Sequence, residues 1–112
     1  MNILTFDTEE WYIEKTYGNN DAIHYQTVDY YQNAILDLLD EQKLKATFFC
    51  VGGLAREFPE VVRQIADRGH EVGCHSNVHT WLNKMTREEC LADTRKAVDS
   101  LEQVVGQKVK SY

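Results

Sequence analysis

The chain has 112 residues, 43% of them apolar, 27% charged and 11% aromatic, a balance too apolar and too aromatic for a disordered segment. Twelve Lys and Arg against eighteen Asp and Glu leave a net charge of −6 with no basic run, which argues against binding to nucleic acid or to an anionic membrane. No apolar stretch approaches the roughly 18 residues of a membrane span, and the start Met1-Asn2-Ile3-Leu4-Thr5-Phe6-Asp7 lacks the regions of a signal peptide, so a cytoplasmic location is expected.

In chain order, Ile3-Leu4-Thr5-Phe6 is a short apolar run that ends in the acidic cluster Asp7-Thr8-Glu9-Glu10, and it predicts a first strand. Residues 11–27 are the longest irregular stretch and a candidate functional loop. Thr27 reads as the N-cap of a helix carrying Tyr31, Ile35, Leu38 and Leu39 at helical spacing. Residues 46–51 predict a second strand, stopped by Gly52-Gly53. Pro59 opens a helix faced by Val61, Val62, Ile65 and Ala66, and Gly69 follows as a left-handed cap. Glu71-Val72-Gly73-Cys74 predicts a short third strand. Thr86-Arg87-Glu88-Glu89 is a capping box for a helix with Leu91, Val98, Leu101 and Val105 on one face, closed by Gly106. Residues 108–112 begin a fourth strand. Cys50, Cys74 and Cys90 are odd in number, widely spaced and without a C-x-x-C, so each reads as a small buried hydrophobe; Cys74 is set apart by its neighbour His75.

Alternating strands and helices predict an α/β fold of right-handed βαβ units around a parallel sheet, with about four strands and three main helices. Such a sheet rarely stands alone, so the chain is expected to be the first part of something larger. Its exposed C-terminal strand edge is expected to self-associate by pairing or swapping.

Ligands of parallel α/β folds bind at the carboxyl ends of the strands. Two polar clusters fall there. After strand one, Asp7 and Glu9 are two residues apart and point to the same side in extended backbone. After strand three, His75 and His79 reach one point if the segment makes a helical turn. Two His and a carboxylate with a position left open form the donor set of a catalytic zinc-type site. Carboxylates after a strand are often only solvated turn residues, and H-x-x-x-H pairs arise by chance on exposed faces; the joint placement on one sheet is what points to a metal. His70 precedes the third strand, at the opposite end, and reads as a surface or packing residue. His24, in the long loop with Trp11, Tyr17 and Tyr25, is a candidate on the substrate side.

These residues resemble the polysaccharide deacetylase family, also called the NodB homology domain or carbohydrate esterase family 4. Thr5-Phe6-Asp7-Thr8-Glu9-Glu10-Trp11 is similar to its first motif, T-F-D-D-G, with Thr8 and Glu9 in place of the second Asp and the Gly. His75-Ser76-Asn77-Val78-His79 matches its second motif, H-[ST]-x-x-H, in full. Ala46-Thr47-Phe48-Phe49-Cys50-Val51-Gly52 resembles its ATFF-x-x-G strand, and Gly69-His70-Glu71-Val72-Gly73-Cys74-His75 its GHE-[IV]-G-x-H approach to the metal.

The resemblance implies a distorted, incomplete (β/α) barrel and metal-dependent hydrolysis of an acetyl group, usually from an N-acetylated saccharide. It implies His75 and His79 as metal ligands and Asp7 as the general base that takes a proton from a metal-bound water. A related branch, F-D-x-[ED]-D-W, sets base and ligand two residues apart; on that pattern Glu9 is the third ligand and Glu10 the alternative. The metal implied is a divalent ion, zinc first, with cobalt or a similar ion suiting the same donors. Ser76 reads as holding the turn between the ligands and Asn77 as structural. The family's third motif, an Arg-x-Pro stretch, would follow Ser111-Tyr112, and its later motifs carry the catalytic acid. Residues 1–112 therefore resemble the N-terminal portion of a domain of roughly 200 residues or more, and are expected to be inactive alone. Two alternatives stand beside this reading: an allantoinase-like hydrolase of cyclic amides with the same fold, and a non-catalytic metal-binding or saccharide-binding module. A receiver-like domain would need an Asp where this chain has His75.

Overall fold

Three parallel strands lie side by side in the order β1 (Thr5–Thr8), β2 (Thr47–Cys50) and β3 (Glu71–Cys74). A computed structural model describes residues 2–9 and 21–112, and their side chains outside 21–28. Helix α1 (Asp21–Glu41) connects β1 to β2, while α2 (Gly52–Glu57) and α3 (Pro59–Asp67) connect β2 to β3. A 3-10 turn at Leu82–Lys84 then leads into α4 (Arg87–Val105).

The register decides which face is covered. Phe6, Phe48 and Val72 form one row across the sheet, and Thr8, Cys50 and Cys74 the next. Phe6 stacks on Phe48 at 5.0 Å between ring centroids. Both rows face a core made of Leu36 and Leu39 from α1, Leu54 from α2, Val61, Val62 and Ile65 from α3, and Ala97 and Leu101 from α4. Fully burying an aliphatic or Phe side chain of this kind stabilises a fold by roughly 1.5–3 kcal/mol. The alternate row, Asp7, Phe49 and Gly73, points to the other side of the sheet.

Local chemistry sets several boundaries. Pro59 stands at the start of α3, where a missing N–H costs nothing, and Gly69 follows that helix at φ +80°. Thr86 Oγ1 accepts from Glu89 N at 3.2 Å while Glu89 Oε2 accepts from Thr86 N at 2.7 Å, so the capping box forms in both directions. Gly106 closes α4 in the left-handed region. His70 packs into the interior edge-on to Phe48, and its Nδ1 accepts from Ala46 N at 3.2 Å. Burial there, with Lys45 nearby, lowers its pKa. Cys50 and Cys74 are buried free thiols, and Cys90 is a half-buried one.

Three expectations need correction. Helix α1 begins at Asp21, so Thr27 lies within the helix and residues 21–27, His24 and Tyr25 included, are not loop. Asp21, Ala22 and Gln26 are compatible with helix, and a good cap residue further along does not forbid an earlier start. Glu10, Trp11 and Tyr17 lie outside the described residues. Gly52-Gly53 does more than end β2, because it opens α2. Residues 108–112 do not form a fourth strand. Ser111 O accepts from Cys74 N at 2.9 Å, but Val109 N turns away to Glu102 Oε1 of α4 at 3.0 Å. With its hydrogen bonds divided between β3 and α4, the segment builds no ladder, and the strand edge on which self-association was expected is not formed.

Candidate metal centre

Because the three strands run the same way, Glu9, Val51 and His75 leave the sheet at one edge. Neighbouring strands lie about 4.8 Å apart, so the chain at Glu9 and at His75 is roughly 10 Å apart across β2. Long side chains are needed to meet over that gap. Val51 N donates to Thr8 O at 3.3 Å and His75 N to Cys50 O at 2.9 Å, which carries the ladder up to the site.

The segment from His75 to His79 is not a helical turn. Ser76 and His79 both adopt left-handed backbone, at φ +62° and +58°. Such conformations cost a non-glycine residue on the order of 1–3 kcal/mol and persist only where the surroundings impose them. The surroundings are explicit. Gly52 N donates to Ser76 O at 2.9 Å and Gly53 N to Asn77 O at 2.7 Å, so the first amides of α2 hold the loop's carbonyls. Asn77 N donates to Asp93 Oδ2 of α4 at 3.0 Å, and His79 N to Ser76 Oγ at 2.9 Å. Ser76 thus ties the turn between the two histidines, and Asn77 is buried.

This loop and the end of β1 bring three donors together. Glu9 Oε2 lies 2.9 Å from His79 Nε2 and 3.2 Å from His75 Nε2. The imidazole centroids are 5.1 Å apart. Donors bound at 2.0–2.1 Å around a tetrahedral ion stand about 3.3 Å from one another, close to the separations found here. All three side chains are about one-third exposed, which leaves an open side toward solvent. Two imidazole nitrogens and one carboxylate oxygen suit a first-row divalent cation such as zinc or cobalt.

Asp7 is not among the residues whose donor atoms converge. It stands exposed two residues before Glu9, and Thr8 between them turns to the buried face beside Cys50. That alternation removes Thr8 from the site and keeps Asp7 and Glu9 on one side. Both border an open cleft of about 180 Å³ that also takes in Tyr31 and Gln32. His79 borders a second cleft, of about 410 Å³, with Trp81, Asp93 and Tyr112. Burial pushes the Cys74 thiol up, and that of Cys50 up to about 12, so neither is a thiolate nucleophile beside the histidines. Asp93 and the Gly52 and Gly53 amides were missed by sequence reasoning; a single Asp one turn and a half into a helix carries no signal in spacing or composition.

The sequence model of the family described as polysaccharide deacetylase matches residues 3–112. The chain belongs to the polysaccharide deacetylase family. It is 38% identical over 72 residues to a peptidoglycan-N-acetylglucosamine deacetylase of Bacillus cereus, covering 64% of this chain and 26% of that one. It is 34% identical over 104 residues to a chitooligosaccharide deacetylase of Rhizobium leguminosarum bv. trifolii, covering 85% of this chain and 48% of that one. Among solved structures, the peptidoglycan deacetylase PdaC from Bacillus subtilis superposes with a TM-score of 0.70 at 31% identity, over 96% of this chain and 45% of that one. BA3943 from Bacillus anthracis, described as a CE4 family pseudoenzyme, superposes at 0.76 with 26% identity, over 96% of this chain and 32% of that one. The chain therefore spans about a quarter to a half of the length of these relatives. Its parallel strands and the helices between them are those of the distorted (β/α) barrel of this polysaccharide deacetylase family.

Proposed function

We propose that this chain carries the metal-holding part of a hydrolase that removes acetyl groups from N-acetylated or O-acetylated saccharides. The observation that carries the reading is the convergence of Glu9 Oε2, His75 Nε2 and His79 Nε2 at one sheet edge, in a member of the polysaccharide deacetylase family. Relatives named for peptidoglycan and chitooligosaccharide deacetylation support an amide-linked acetyl group on an amino sugar as the substrate class.

Glu9, His75 and His79 would hold the cation, zinc first and cobalt or a similar ion in its place. When bound, it supplies Lewis acidity that makes water more acidic and polarises the acyl oxygen. The two neutral imidazoles and one carboxylate cancel only half of a 2+ charge, which preserves that acidity. Asp7 would accept the proton of the attacking water. Asp7 also explains itself best this way, because a site built only to hold an ion has no need of a second, non-ligating carboxylate on the same side of β1.

The test is acetate release from N-acetylated chitooligosaccharides and from peptidoglycan fragments by the full-length protein, with zinc and with a chelator. Asp7→Asn is expected to lower kcat by about 10²–10⁴-fold, the usual contribution of a general base, while zinc affinity stays unchanged. Acetate release by Asp7→Asn at the wild-type rate would overturn the role of Asp7. The similarity to BA3943, described as a pseudoenzyme, favours one second reading, a site that binds a metal without turnover. Zinc binding with no acetate release from either substrate would select it.

A further inference from the structure

We propose that Asp93 is a positioning residue for the metal-holding loop: its carboxylate, reaching from α4, fixes the backbone between His75 and His79 and thereby sets the distance between the two imidazoles. The inference rests on the reading of Glu9, His75 and His79 as metal ligands.

The loop has five residues and two of them, Ser76 and His79, sit in left-handed backbone that neither prefers. Unsupported, it would relax and swing the imidazoles apart. Its carbonyls are held from one side, Ser76 O by Gly52 N and Asn77 O by Gly53 N. Those two bonds restrain the loop from the side of α2, while His75 N is held by Cys50 O and His79 N by Ser76 Oγ. Asp93 Oδ2 closes the other side by accepting from Asn77 N at 3.0 Å. An amide bonded to a carboxylate makes a stronger hydrogen bond than one bonded to a neutral acceptor. Asn77 lies midway between the two histidines, so fixing its amide fixes both flanks. Asp93 is itself half-buried and is not one of the converging donors, so it acts on the cation through the loop. Groups that orient metal ligands in this way commonly carry 10- to 100-fold in metal affinity.

The experiment is a cobalt titration of the full-length protein, followed by the visible d–d spectrum, with Asp93→Ala, Asp93→Asn and His79→Ala beside the wild type. Thermal unfolding of each metal-free protein runs in parallel. Asp93→Ala is expected to weaken cobalt binding at least tenfold and to change the d–d spectrum. Asp93→Asn keeps an acceptor oxygen for Asn77 N without the charge, and is expected to recover most of the affinity and the wild-type spectrum. If Asp93→Asn is as weak as Asp93→Ala, long-range charge and not the hydrogen bond matters, and the proposal is overturned. It is likewise overturned if Asp93→Ala binds as the wild type does, or if its loss of affinity is matched by unfolding of the metal-free protein. A wild type that binds no cobalt, like His79→Ala, removes the ligand assignment and this proposal with it; a wild type that binds while Asp93→Ala binds equally removes the proposal alone.

Discussion

Replacing Gly52 by Ala should both destabilise the fold and disturb the histidine loop, because this residue has no room for a side chain. A Cβ at Gly52 would stand 2.7 Å from Ala97 Cα, 3.0 Å from Ala97 Cβ and 3.2 Å from Asn77 Oδ1. Carbon atoms in contact sit about 3.5–4.0 Å apart, so α2 and α4 must separate by roughly an ångström to admit the methyl group. The obstacle is the α4 backbone at the fully buried Ala97, which cannot rotate aside. Overpacking of this kind costs about 1–3 kcal/mol. Alanine's better helix propensity returns at most about 1 kcal/mol, and less at the first position of a short helix, so the clash wins. The net loss of about 1–2 kcal/mol should lower Tm by several degrees in a chain of this size. Because Gly52 N also holds Ser76 O, the shift is passed to the histidine loop, and zinc affinity should fall together with stability. The assay is urea denaturation of the metal-free protein, paired with a zinc titration. A Gly52→Ala protein as stable as wild type would refute the packing argument.

Thr86→Ala removes the hydroxyl that accepts from Glu89 N and should cost about 1 kcal/mol, read as a lower denaturation midpoint with an unchanged m-value. The pKa of His70 is lowered chiefly by burial, so the unfolded chain takes up a proton at higher pH than the folded one. Its neutral form supports the fold fully above about 6.5, the ordinary histidine value, and stability should decline as pH falls below it. Urea denaturation at pH 7.5 and 5.5 should therefore show a smaller loss in His70→Gln than in the wild type, and an equal loss in both would contradict the assignment.

Strands and caps were legible in the sequence wherever local chemistry decides. The run Thr47-Phe48-Phe49-Cys50, the capping box at Thr86 and the left-handed Gly69 and Gly106 need only their own neighbours. Alternation along β1 put Asp7 and Glu9 on one side, and the resemblance to the family's motif set Glu9 with His75 and His79, whose donor atoms lie together in the structure. What escaped was set by contacts between distant segments. Gly52-Gly53 reads as a stop, yet it starts α2 because its amides find the carbonyls of Ser76 and Asn77. The H-x-x-x-H spacing suggested a helical turn; the imidazoles meet instead through two left-handed residues that α2 and α4 impose. Residues 108–112 carry strand composition, and their hydrogen bonds were divided between β3 and Glu102.

The central claim is that Glu9, His75 and His79 form one divalent-cation site. A calorimetric zinc titration of the protein beside His79→Ala tests it most directly. The account predicts binding at a single site in the wild type and its loss in the variant, since removing one imidazole leaves two donors where at least three are needed. Equal binding by both proteins, or no binding by the wild type, would contradict it.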